Sequence, residues 1–275
     1  MKHLPYVFLL SLFLIVYLFL PPISFSQDET PEFDFSRAYQ DYLYTYSTYR
    51  EAHDNYIVAR EQYLNYKTLT AKTIAMEQTL DMLQKRDETI RTYLTALRMK
   101  MAETTGIADY KQNTIYLKLD SEVGWYIEHR DKLSSAATLE DLLVNSEEAE
   151  DRFGKSQLLA YQALGVILEG KENDLINQMD EQIEALKEKT SEIREKGDKD
   201  TTTAERWLLE AENKLTRGQE KIDQAINLLD EMKPQDRNKA KIYTRSQELF
   251  QESHLYLKEA NSFLKELIRE IKTSD

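Results

Sequence analysis

The sequence predicts an all-α fold: an elongated antiparallel helical bundle or coiled coil, with one very long N-terminal helix and a C-terminal helical hairpin. Three observations carry that prediction. Only 7 glycines and 5 prolines interrupt 275 residues, so helix breakers are scarce over long stretches. Charged residues make up 31% of the chain, which suits long solvated helices better than a compact sheet protein. Apolar residues recur at alternating spacings of three and four along most of the chain after Phe35, the period that gathers them on one side of a helix.

The first 26 residues stand apart from that pattern. After a short, weakly basic MKH comes YVFLLSLFLIVYLFL, an apolar run of 15 residues without a charge. PPISFS then places Ser24 and Ser26 at the minus-three and minus-one positions of a small-x-small site. A secretory signal cleaved before Gln27 is expected. The rival is an uncleaved N-terminal anchor, since the run is close to the shortest segment that spans a bilayer. Either way the rest of the chain is expected outside the cytoplasm, secreted or held at the membrane by its N-terminus. The chain has no cysteine, so neither a lipid-bearing thiol nor a disulfide framework is available, and stability must come from helix packing.

The predicted long helix covers 33–104, a stretch with neither Gly nor Pro. Phe35, Tyr42, Tyr49, Tyr56 and Tyr63 share one heptad position. Ala38, Thr45, Ala52, Ala59 and Tyr66 follow three residues later. Large rings alternating with mostly small residues form a seam onto which a second helix can pack closely. Tyr39 and Tyr46 flank it, with rings along the apolar stripe and hydroxyls toward water. The seam continues through Leu69, Met76, Leu80, Leu83, Asp87, Ile90, Leu94, Leu97 and Met101. Between Tyr63 and Leu69 two three-residue steps occur in succession, a slip that overwinds a supercoil or marks a change of packing neighbour.

Two further bundle helices are expected over 105–196. Tyr116, Leu119, Val123, Tyr126, Arg130 and Leu133 carry the spacing in the first. TIYLKL at 114–119 has strand propensity but no second strand to pair with. Near 138–149 a short segment restarts the helix, with Thr138 and Asp141 spaced as a capping pair. GDKDTTTAE, ending in a Thr202 to Glu205 capping box, separates the 201–275 hairpin. Its first helix carries Leu208, Ala211, Leu215, Gly218, Ile222, Ala225, Leu229 and Met232. KPQD turns the chain into a last helix carrying Tyr243, Phe250, Leu257 and Leu264.

Charge and motif searches narrow the function. Loss of Lys2 with the signal leaves 35 basic against 49 acidic residues, a formal charge of −14. Such a body is repelled by nucleic acid and by anionic lipid, so no nucleic-acid partner is expected and membrane contact only through an uncleaved N-terminus. AEDRFGKS at 149–156 and GVILEGKE at 165–172 approximate phosphate loops. The first follows SEEAED rather than a buried strand, and the second has Glu where a metal-binding Ser or Thr belongs. Asp198 and Asp200 alternate as in a calcium loop, but Thr203 and Leu209 stand where Gly and Glu are required. His53, His129 and His254 show no metal-ligand spacing and read as partly exposed helix residues. No nucleophile motif is present. No catalytic residue, cofactor or metal is therefore assigned.

The expectation is an exported, non-catalytic helical scaffold or protein-interaction component of the cell envelope, using its heptad seams for a protein partner or self-association. The alternative is an extracytoplasmic ligand-binding bundle with a Tyr-lined pocket.

Overall fold

The structure, a computed structural model, describes residues 34–197 and 200–273. Ser24, Ser26 and Gln27 of the expected cleavage site, and Asp198, lie outside the described residues. The described chain is an all-α helical bundle: α1 (Phe35–Tyr66), α2 (Leu69–Ala102), α3 (Asp109–Leu133), α4 (Leu139–Lys196), α5 (Thr202–Asp230) and α6 (Lys239–Thr273).

The single helix expected over 33–104 is two. Lys67 turns the chain with φ 49°, a left-handed conformation that costs a residue with a Cβ about 1–2 kcal/mol. Thr68 then caps α2, its Oγ1 accepting from the Ala71 amide at 3.1 Å. The reversal lays α1 antiparallel on α2: the Phe35 amide donates to Glu103 at 2.9 Å, and Thr45 Oγ1 meets Thr92 Oγ1 at 2.7 Å. Tyr42, Tyr56, Ala38, Ala52 and Ala59 are thereby buried. Burying rings of this size is worth on the order of 2 kcal/mol apiece, so the packing outweighs the strain at Lys67.

The longest helix is α4, 58 residues from Leu139 without a break at 149. The Thr138 capping box forms as the spacing predicts, with Thr138 Oγ1 accepting from the Asp141 amide at 3.1 Å and Asp141 Oδ2 accepting from the Thr138 amide at 2.9 Å. The first half of α4 packs with α2 and α3 around Leu94, Leu119, Tyr126, Leu159 and Ala163. Its second half packs with the antiparallel pair α5 and α6 around Ile176, Ile183, Ala211, Ile222 and Leu257. α4 is thus the spine shared by both groups of helices.

In the expected C-terminal region α5 and α6 pack against each other, but the expected cap does not form. Thr202 begins α5, and Asp200 Oδ1 accepts from the Thr202 amide at 2.9 Å, while Glu205 is engaged by the Thr201 hydroxyl. The whole α5 row from Leu208 to Met232 is buried.

In α3 the buried row is Ile115, Leu119, Glu122, Tyr126, His129 and Leu133, so Tyr116, Val123 and Arg130 flank it instead of forming it. His129 is therefore a core residue, where the sequence suggested a partly exposed one.

The two approximate phosphate loops are helix-packing sites. A Cβ at Gly154 would lie 2.9 Å from the Pro234 carbonyl oxygen, and one at Gly165 would collide with Leu229. Gly170 lets the loop before α3 approach: a side chain there would meet Ile107 and the Thr105 carbonyl.

Candidate functional site: a sealed polar centre and an open hairpin tip

Chemically versatile side chains meet between α2, α3 and α4. His129 Nδ1 lies 2.5 Å from Asp87 Oδ2, and its Nε2 lies 3.1 Å from the Asn145 carbonyl oxygen. That carbonyl can only accept, so Nε2 is the nitrogen placed to donate to it while Nδ1 faces the carboxylate. Arg86 Nε stands 3.5 Å from the other carboxylate oxygen, at ion-pair rather than hydrogen-bond distance.

About two turns away along α3, Glu122 receives Arg152 Nη2 at 2.6 Å and Arg152 Nε at 3.0 Å, and it accepts from Ser156 Oγ at 2.8 Å. Tyr126 completes the chain, its hydroxyl 3.0 Å from Ser156 Oγ. Trp125 lies between the two centres, stacked on His129 at 4.7 Å with Arg152 5.2 Å from its ring. An acid, a base and a hydroxyl within one cluster resemble catalytic equipment, yet the side chains of Asp87 and His129 are 0% and 2% exposed. The arrangement ties three helices together around the enclosed Asp87–His129 pair. Ser156, the last residue of the AEDRFGKS stretch, is spent on Glu122.

The tyrosines converge in part. Tyr42 stands 5.1 Å from Tyr93 of α2 and 6.0 Å from Tyr39, while Tyr161 of α4 stacks on Tyr243 of α6 at 4.5 Å. Burial pushes the hydroxyls of Tyr42, Tyr93, Tyr161 and Tyr243 well above their ordinary range. The Tyr93 hydroxyl is enclosed without a hydrogen-bond partner. Phe35, Tyr49 and Tyr63 are only half-buried. These rings fill space between helices. The groove of about 150 Å³ lies elsewhere, lined by Tyr110, Lys111, Ile115, Gln162, Val166 and Leu229.

The remaining feature is the end of the α1–α2 hairpin. Leu83 and Leu80 of α2 pack with Leu133 at the end of α3 and Leu142 at the start of α4. Lys72 reaches Glu140 at 3.3 Å. Past Lys72 the hairpin runs less than two turns further to its reversal at Lys67. Leu69 is 82% and Tyr66 72% exposed, and Ile57, Val58, Leu64 and Ile74 are exposed around them. Large apolar side chains gathered at one open end mark a contact surface more often than scattered ones do.

Spacing alone placed Leu69 in the buried seam. The slip after Tyr63, expected as overwinding or a change of packing neighbour, falls beside the turn at Lys67, and the turn is what opens Leu69 to solvent.

No protein-family model matches the chain, and no curated protein or solved structure matches it.

Proposed function

We propose that this chain is an exported, non-catalytic helical scaffold or protein-interaction component of the cell envelope, with the tip of the α1–α2 hairpin as its contact surface. One observation carries the proposal: six large apolar side chains, Ile57, Val58, Leu64, Tyr66, Leu69 and Ile74, are exposed together within 18 residues of one hairpin. The charge-free apolar run before Gln27 supports export. The sealing of Asp87 and His129 supports a structural use for that pair. Tyr42 and Tyr56 of the seam are buried inside the hairpin, which favours the tip over the seam as the contact surface.

The test is a photoreactive residue at position 69 in cells producing the full chain, with position 209, an exposed leucine on α5, as control. The expected result is a protein adduct from position 69, and not from 209, in the extracytoplasmic fraction. Retention in the cytoplasm, or equal labelling from both positions, contradicts the proposal.

A further inference from the structure

We propose that the groove between α3, α4 and the end of α5 binds a small zwitterion with an apolar side chain, a free α-amino acid of leucine or phenylalanine size. This goes beyond the reading of the hairpin tip and does not depend on it.

Shape sets the size of the ligand. The floor of the groove is apolar: Ile115 of α3, Val166 of α4 and Leu229 of α5 are buried beneath it, and Ile226 is half-buried beside them. The volume of about 150 Å³ is that of a cavity able to take one benzene ring. One branched aliphatic or phenyl side chain therefore fills it.

Charge sets the chemistry of the rest. Two charged residues line the groove without an ion-pair partner among the described residues: Lys118 on α3 and Asp230 at the end of α5, both exposed. Lys111, the other cation of the lining, is spent on Glu169, whose two carboxylate oxygens each lie 2.8 Å from its Nζ. α5 ends here with Asp230 and no basic residue in its last turn, so the partial negative charge of the helix end is reinforced and not offset. The Leu229 carbonyl at that end meets the Gln162 amide at a loose 3.5 Å. This end of the groove suits an ammonium, which donates several hydrogen bonds, and the Lys118 side suits a carboxylate. A lone cation would face Lys118, and a lone anion would face Asp230 and the end of α5. A zwitterion answers both, and in an amino acid the two charges sit together at one end of the side chain that the floor accommodates.

The experiment is a ligand-observed NMR titration of leucine against the full chain recovered from the extracytoplasmic fraction. The expected result is saturable binding, half complete on the order of 1 mM. Lys118→Met and Asp230→Asn, both at exposed positions, should keep the helix content and each weaken binding about tenfold or more. Glycine, lacking the side chain, leucinamide, lacking the carboxylate, and N-acetylleucine, lacking the ammonium, should each bind about tenfold more weakly or not at all. Absence of saturable binding up to about 50 mM, or leucine binding that either variant leaves unchanged, overturns the proposal. So does glycine, leucinamide or N-acetylleucine binding as tightly as leucine; the last two would make the groove a site for an organic cation or for a peptide C-terminus.

Discussion

Glu172 is the side chain whose ionisation the fold opposes most openly. Burial between α4 and α6 pushes its carboxyl up to about 7, and its Oε2 is enclosed without a partner. Oε1 lies 3.3 Å from His254 Nδ1. Burial first, then Lys258, pulls the imidazole below its ordinary range. The proton between them accordingly favours the carboxyl near neutrality. In the unfolded chain a glutamate titrates near 4.3. Between that value and about 7 the native state holds a proton that the unfolded state has released, so this contribution to stability is complete at low pH and lost as pH rises through about 7. Glu172→Gln removes it. Urea unfolding should find the variant close to the parent at pH 4 and more stable than the parent at pH 8; parallel pH profiles would contradict the assignment.

Of the polar interior, Asp87 is legible as an acid in an otherwise apolar row. Its partner is not: the three-four spacing in α3 can be threaded through Tyr116, Val123 and Arg130 as easily as through Ile115, Glu122 and His129. Only the neighbours' polar groups make the second row the buried one. A helix periodicity records which side is inside to within about one residue, and here that residue separates an exposed histidine from a core one.

Among the elements, α5 and its row were readable because every position from Leu208 to Met232 is apolar or small. The break between α1 and α2 was not, because the left-handed residue is Lys67 and not glycine. Local propensity allowed a helix through it, and the gain from packing the tyrosine row against α2 decided otherwise. Glycine at 106 is the contrary case: its φ is +74°, and a Cβ there would strike the carbonyl oxygen of Gly170 on α4. Both the left-handed backbone and the close approach demand glycine. Gly106→Ala is therefore expected to cost at least about 1–2 kcal/mol from the backbone conformation alone. Chemical denaturation reads this as a lower midpoint. Gly124→Ala is the control, since a Cβ there meets nothing within 4 Å and an alanine inside a helix stabilises by roughly 0.5–1 kcal/mol. Equal loss in both variants would mean that the approach of the 103–108 loop to α4 is wrongly described.

At the scale of the helical body from Phe35 onward, two hairpins share α4, and the first closes its tyrosine seam within one chain. The all-α class and the C-terminal hairpin follow from spacing alone. The partner of the seam does not, because a heptad row reads the same whether the covering helix is its own or another copy's. The most direct measurement uses the absence of cysteine in the chain. The Oγ1 atoms of Thr45 and Thr92 are 2.7 Å apart, so cysteines at these positions stand within reach of a disulfide. The Thr45→Cys, Thr92→Cys double variant, oxidised at low concentration, should lose both free thiols and remain monomeric on a non-reducing gel. Free thiols, or dimers linked through these positions, would show that α1 does not fold back on α2 of its own chain.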